Sequence, residues 1–129
     1  MRYMMLIYSR EQRELSERNY EPHRSLIEEA TREGVFVAAE PLAPPSSTTT
    51  LQIENGRALI TDGPFAESKE QLAGYYIFDC ENLDQAIDWA TKIHTACTVP
   101  VLIEIRPMPG MPPLAESDAR SNASSARND

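Results

Sequence analysis

The chain has 129 residues, 41% of them apolar, a formal net charge of −8 and an isoelectric point near 4.7. That length suits one domain. Its lysines and arginines stand singly among glutamates, which argues against nucleic-acid binding through phosphates and against docking on anionic membranes.

The opening run "MRYMMLIYSRE" is too short for a signal peptide and reads as a first strand over 2–8. Ser9 is placed to cap a helical turn in "REQRELSER". Pro22 then suits the first turn of the main helix, where its missing N–H costs nothing. In that helix His23, Leu26, Ile27 and Ala30 share one face, and Gly34 stops it. "VFVAAE" (35–40) reads as a strand, and the prolines of "PLAPPSS" make the next stretch irregular. "TTTLQIENGRALIT" is a hairpin, because Asn55 and Gly56 both tolerate the positive φ of a type I′ turn.

After the loop "DGPFAESKE", "AGYYIFDC" (73–80) is a strand. "ENLDQAIDWATKIH" is an amphipathic helix with Leu83, Ala86, Ile87, Ala90 and Ile93 on one stripe, Trp89 at its rim, and Asn82 as N-cap with Gln85 three residues on. "VPVLIEIRPM" (99–108) is the last strand. The order β–α–β, hairpin, β–α–β gives an α+β fold of ferredoxin-like type: a mainly antiparallel sheet with two helices on one face. Two helices cannot cover both faces of the sheet, so the sequence predicts a homodimer. The folded domain spans 1–108. Residues 109–129, rich in Pro, Ser and Ala, carry too little apolar surface to offset their ordering entropy and read as a disordered tail.

No run reaches the roughly 20 apolar residues of a membrane span. Two cysteines (Cys80, Cys97) and two histidines (His23, His94) lack ligand spacing, so no metal site and no disulfide is expected, and the chain reads as cytoplasmic. Phosphate-cradling glycine loops, a dinucleotide fingerprint and a nucleophile elbow are missing from the sequence, which disfavours ATP use, hydride transfer and serine hydrolysis and leaves no cofactor implied.

His23 is the foremost candidate for chemistry, since an imidazole gives and takes protons near neutrality. Its bland alternative is a hydrogen-bonded core histidine. Asp62, Gly63, Pro64 and Phe65 have a structural account as a turn. Asp62 is the chemical member of that loop, a base with Lys69 beside it to hold an anion or to make a surface ion pair. Glu104 and Arg106 alternate onto one face of the last strand and either pair with each other or let Arg106 orient a carboxylate. Tyr75 and Tyr76 point to opposite faces, so at most one lines a pocket.

"TDGPFAESKEQLAGYYIFD", with "AAEPLAPPSSTTTLQIENGRALI" before it and "EIRPM" after it, resembles the DGPF branch of the YCII-related proteins over residues 2–108. The resemblance implies a dimeric ferredoxin-like α+β barrel. It implies no established activity for the branch, many of whose members are encoded near extracytoplasmic-function sigma factors. YCII-like relatives are thought to use a histidine and an aspartate in a cleft, for lyase-type or dechlorination chemistry on small aromatic or lactone-like molecules. Their histidine lies 11 positions before the glycine that ends the first helix, as His23 does before Gly34. Their aspartate position is Arg32 here, which leaves Glu40 or Asp62 to stand in spatially. "IHTACTVPV" also replaces the glycines the branch carries before its last strand.

Two functions are therefore expected. One is a cofactor-free acid–base enzyme, of lyase or isomerase type, acting on a small organic molecule: His23 and Asp62 are catalytic, and Lys69, Arg106 and Glu40 bind substrate. The other is a non-catalytic dimer that binds a ligand or a protein partner, regulatory in character.

Overall fold

The computed structural model describes residues 1–11, 17–66 and 68–113. Its elements are β1 (Arg2–Ser9), α1 (Glu17–Arg32), β2 (Phe36–Pro41), a short 3-10 turn (Pro45–Ser47), β3 (Thr49–Glu54), β4 (Arg57–Asp62), β5 (Gln71–Asp79), α2 (Leu83–Ala96) and β6 (Val101–Met108). Four strands form one antiparallel sheet in the order β2-β5-β1-β6, while β3 and β4 pair in a separate two-stranded sheet. With the hairpin set aside, this is the ferredoxin-like order, in which each βαβ half contributes one central and one edge strand. The central strands are β5 and β1.

Alternation along β1 and β5 sends Tyr3, Met5, Ile7, Tyr76 and Phe78 to the helix side, where all five are buried. Both helices press onto that side. Leu26 and Ala30 come from α1, and Ala86, Trp89, Ala90 and Ile93 from α2. Phe78 stands at the centre, its ring 5.3 Å from Trp89 and 5.5 Å from Tyr76, centroid to centroid. The tryptophan is thus a core residue, 4% exposed, and not a rim residue. The buried stripe of α2 is turned towards Trp89, which leaves Leu83 and Ile87, expected inside, 51% and 44% exposed. The wide indole, packed against Phe78, takes the centre of the buried stripe.

Local chemistry sets the boundaries. Asn82 caps α2, its Oδ1 accepting from the Gln85 N–H at 2.9 Å, while Gln85 Oε1 accepts from the Glu81 N–H at 2.6 Å. Gly34, at φ +75°, closes α1: its N–H donates to Thr31 and the Val35 N–H to Ala30. That helix starts earlier than expected, so Pro22 lies inside it and not in its first turn; the proline withholds the N–H that would reach back to Arg18. The turn at Asn55 (φ 50°) and Gly56 (φ 78°) is as expected. Lys92 of α2 donates to Glu29 of α1 at 2.5 Å, and this bond raises the lysine's pKa.

Ser9 Oγ accepts from the Glu11 N–H at 3.1 Å, a turn at the end of β1; most of the expected helical turn beyond it, residues 12–16, lies outside the described residues. So does 114–129 of the expected tail, while 109–113 has no regular structure. Among the described residues, no helix is long and apolar enough to cross a membrane.

Candidate functional site

His23 is held on the sheet-facing side of α1 by Leu26 and Ala30, which bury the same face below it. Across from it is Tyr76, the residue of central strand β5 that alternation sends to the helix side. His23 Nδ1 and Tyr76 Oη are 2.5 Å apart, a buried hydrogen bond between two groups that each give or accept a proton. The two rings stack with centroids 5.9 Å apart, and the Tyr20 ring lies 6.4 Å from His23, tilted by 57°. His23 is 7% exposed.

The pair borders a cavity of about 70 Å³, room for a few waters or a small group of heavy atoms. Its walls are otherwise mainly apolar, with Ile7, Ile27 and Ala39 beside the rings. Gly74 forms part of the floor, and the space there depends on its having no side chain. A Cβ at Gly74 would stand 2.9 Å from the backbone O of Glu40 and 3.3 Å from Cα of Pro41. The glycine thus lets edge strand β2 cross close to β5 beside the histidine. In so buried and apolar a setting a hydrogen bond between His23 and Tyr76 is stronger than in water and steadies the imidazole.

The other expected site residues are distributed differently. Glu40 reaches the rim of the cavity, but its register partner is Tyr75, so alternation turns its exposed side chain to the helix-free face of the sheet. Both Tyr75 and Tyr76 border the cavity, although only one was expected to. Asp62 does not line it. It ends β4, which pairs with β3 in a sheet of two strands among the described residues, so the carboxylate is exposed on an element apart from the main sheet. Lys69 is exposed in the bend before β5, and Glu67 lies outside the described residues. Arg106 lies on the helix-free face, its guanidinium 3.9 Å from Glu104, the exposed pairing that the sequence offered as one alternative.

The charged loop has a partner the sequence did not suggest. Glu70 accepts from Arg10 Nε at 2.6 Å, and this bond holds its carboxyl below the ordinary value. The loop is thereby tied to the end of β1. Cys80 is 2% exposed, and burial pushes its thiol up. Among the described residues no three His, Cys, Asp or Glu side chains are grouped to hold a metal ion.

Tyr20 is a site residue that sequence reasoning passed over, and Tyr76 was weighed there as a pocket-lining residue but not as the partner of His23. Tyr20 is three positions before His23, on the same helical face, a signal hidden by starting the helix at Pro22. Tyr76 is legible only through strand register, since 53 residues separate it from His23.

A family model of the YCII-related domain matches residues 1–107, and the chain belongs to that family. It is also 42% identical over 67 residues to an uncharacterised protein of Rhizobium meliloti (strain 1021). The aligned stretch covers 52% of this chain and 54% of that protein, so the chain spans about half the length of the curated relative it matches.

Proposed function

We propose that this YCII-related chain, of the family's DGPF branch by its residues 62–65, is a small cofactor-free acid–base enzyme of the cytoplasm. Its substrate is a small, weakly acidic carbonyl compound, and its reaction a proton transfer of the lyase or isomerase type. One observation carries the reading: an imidazole and a phenol share a 2.5 Å hydrogen bond at the wall of an otherwise largely apolar cavity. In this reading His23 is the acid–base group, and its partner is Tyr76 in place of Asp62. The hydrogen bond to the phenol engages Nδ1 and steadies the ring, and the other nitrogen exchanges a proton with the ligand. Glu40, at the rim, steers the approach of substrate.

The test is deuterium incorporation at the acidic C–H of a panel of small ketones and lactones in D₂O. Wild type accelerates exchange for at least one compound, and His23→Ala loses roughly 10²–10⁴-fold of that acceleration. Exchange at the buffer rate for the whole panel, with no member shifting the His23 ring resonances, contradicts the reading.

A second reading, a non-catalytic homodimer that binds a ligand and serves a regulator such as an extracytoplasmic-function sigma factor, is favoured by the cavity's small volume and apolar walls. It predicts that a compound shifts the His23 and Tyr76 resonances without any accelerated exchange. In both readings the helix-free face of the sheet, with half-buried Met4, Leu6 and Ile77, packs against a second copy.

A further inference from the structure

Among the described residues the β3–β4 hairpin has no neighbour in its own sheet, and it is amphipathic. Register pairs Leu51 with Ile60 and Ile53 with Ala58, which places these four on one face. The other face carries Thr50 and Thr61, Gln52 and Leu59, and Glu54 and Arg57. Leu51, Ile53 and Ile60 are 62%, 63% and 65% exposed. A lone two-stranded ribbon is marginal in water, and an open aliphatic face on it invites pairing with another surface.

That face continues into the sheet. Leu51 borders the same open groove, of about 800 Å³, as Tyr8 and Leu72, which lie on the helix-free side of β1 and β5. Leu102, opposite Tyr8 in the register, extends the apolar surface and is 60% exposed. Hairpin and sheet thus make one angled apolar surface with two arms.

We propose that the hairpin is an intersubunit arm, its apolar face lying over the helix-free face of a second copy of this chain. The proposal rests on the homodimer of the previous section and adds which element locks it. A second copy is the occupant that fits. A two-fold axis brings each arm onto the other's sheet, so that both open surfaces are covered in one isologous contact. The charges suit it as well: the tip carries Glu54 beside Arg57, and the sheet face carries Arg106 beside Glu104, with Glu40 on the opposite edge strand. Each patch thus carries one acidic and one basic side chain, so that opposite signs are available to pair when one copy meets another. Anionic membrane is a poor alternative for a chain of net charge −8.

Sedimentation of the full chain with Ile53→Glu/Ile60→Glu tests the arm, with hydrogen exchange of wild type above and below its dimer concentration. The expected result is a wild-type dimer whose dissociation constant rises roughly a hundredfold or more in the variant. Amides of 49–62 should be protected in concentrated wild type and lose protection on dilution. Unchanged affinity of a folded variant, or unprotected hairpin amides in an intact wild-type dimer, overturns the arm while leaving the sheet-face dimer standing. A wild-type monomer at every concentration overturns both. If the variant does not fold, the wild-type exchange result decides.

Discussion

Gly74→Ala probes the closest approach around the histidine cavity. The new methyl would lie 2.9 Å from the Glu40 carbonyl oxygen and 3.3 Å from Pro41 Cα, both backbone atoms, so no rotamer change can relieve the contact. Edge strand β2 has to move away from β5 by a few tenths of an ångström. Overpacking of this kind costs about 1–3 kcal/mol. Alanine also narrows the unfolded ensemble, which returns roughly 0.4–1 kcal/mol. The net loss is about 1–2 kcal/mol, and for a domain of this size it lowers the melting temperature by roughly 4–8 °C. Thermal unfolding followed by circular dichroism measures it. Hydrogen exchange locates it, because the Leu42 amide, which donates to the Ala73 carbonyl at 2.9 Å, should exchange faster. A melting temperature equal to or above wild type refutes the argument that backbone contact makes glycine necessary there.

Asn82→Ala removes the acceptor for the Gln85 N–H and should cost about 1 kcal/mol in denaturant unfolding, whereas Asn82→Asp should recover most of it. With a buried, upward-shifted thiol, Cys80 should resist iodoacetamide in the native protein, and Cys97 should be alkylated first; mass spectrometry showing Cys80 labelled first contradicts its placement in the core. The Arg10–Glu70 bond acts with a definite sign. Because the folded carboxyl titrates below its ordinary value, the bond's contribution is in full force above the ordinary carboxylate range and is lost as pH falls through the lowered value. Amide resonances of Ser68 and Gln71 should shift on that acid limb in wild type and stay flat in Glu70→Gln; parallel titrations in the two proteins dismiss the tie.

Fold was far more legible than site, for physical reasons that particular residues display. Asn55-Gly56, Gly34 and Asn82 act within a few residues of themselves, so their turns and caps can be read locally. The stripe of α2 was misread at Leu83, Ile87 and Trp89 because helical period fixes the spacing of a face and not its centre. What fixes the centre is the ring of Phe78 on another element. The same limit governs the site. His23 could be selected by its chemistry and helical face, but its partner Tyr76 is brought to it by strand register. Asp62, close to other charges in the sequence, was carried off by a hairpin that forms a sheet of its own. Glu40 reaches the rim of the cavity, yet one step of strand alternation turns its side chain to the other face.

The central claim is that Tyr76 steadies the His23 imidazole within the cavity. Long-range ¹H–¹⁵N correlation of the two histidine rings, in wild type and Tyr76→Phe, tests it most directly. The account predicts that the His23 Nδ1 resonance in wild type carries the shift of a hydrogen-bonded ring nitrogen. In the variant its ring nitrogens shift markedly while those of exposed His94 stay in place. Unchanged His23 nitrogens in a folded Tyr76→Phe protein would contradict the pair, and with it the acid–base site built on it.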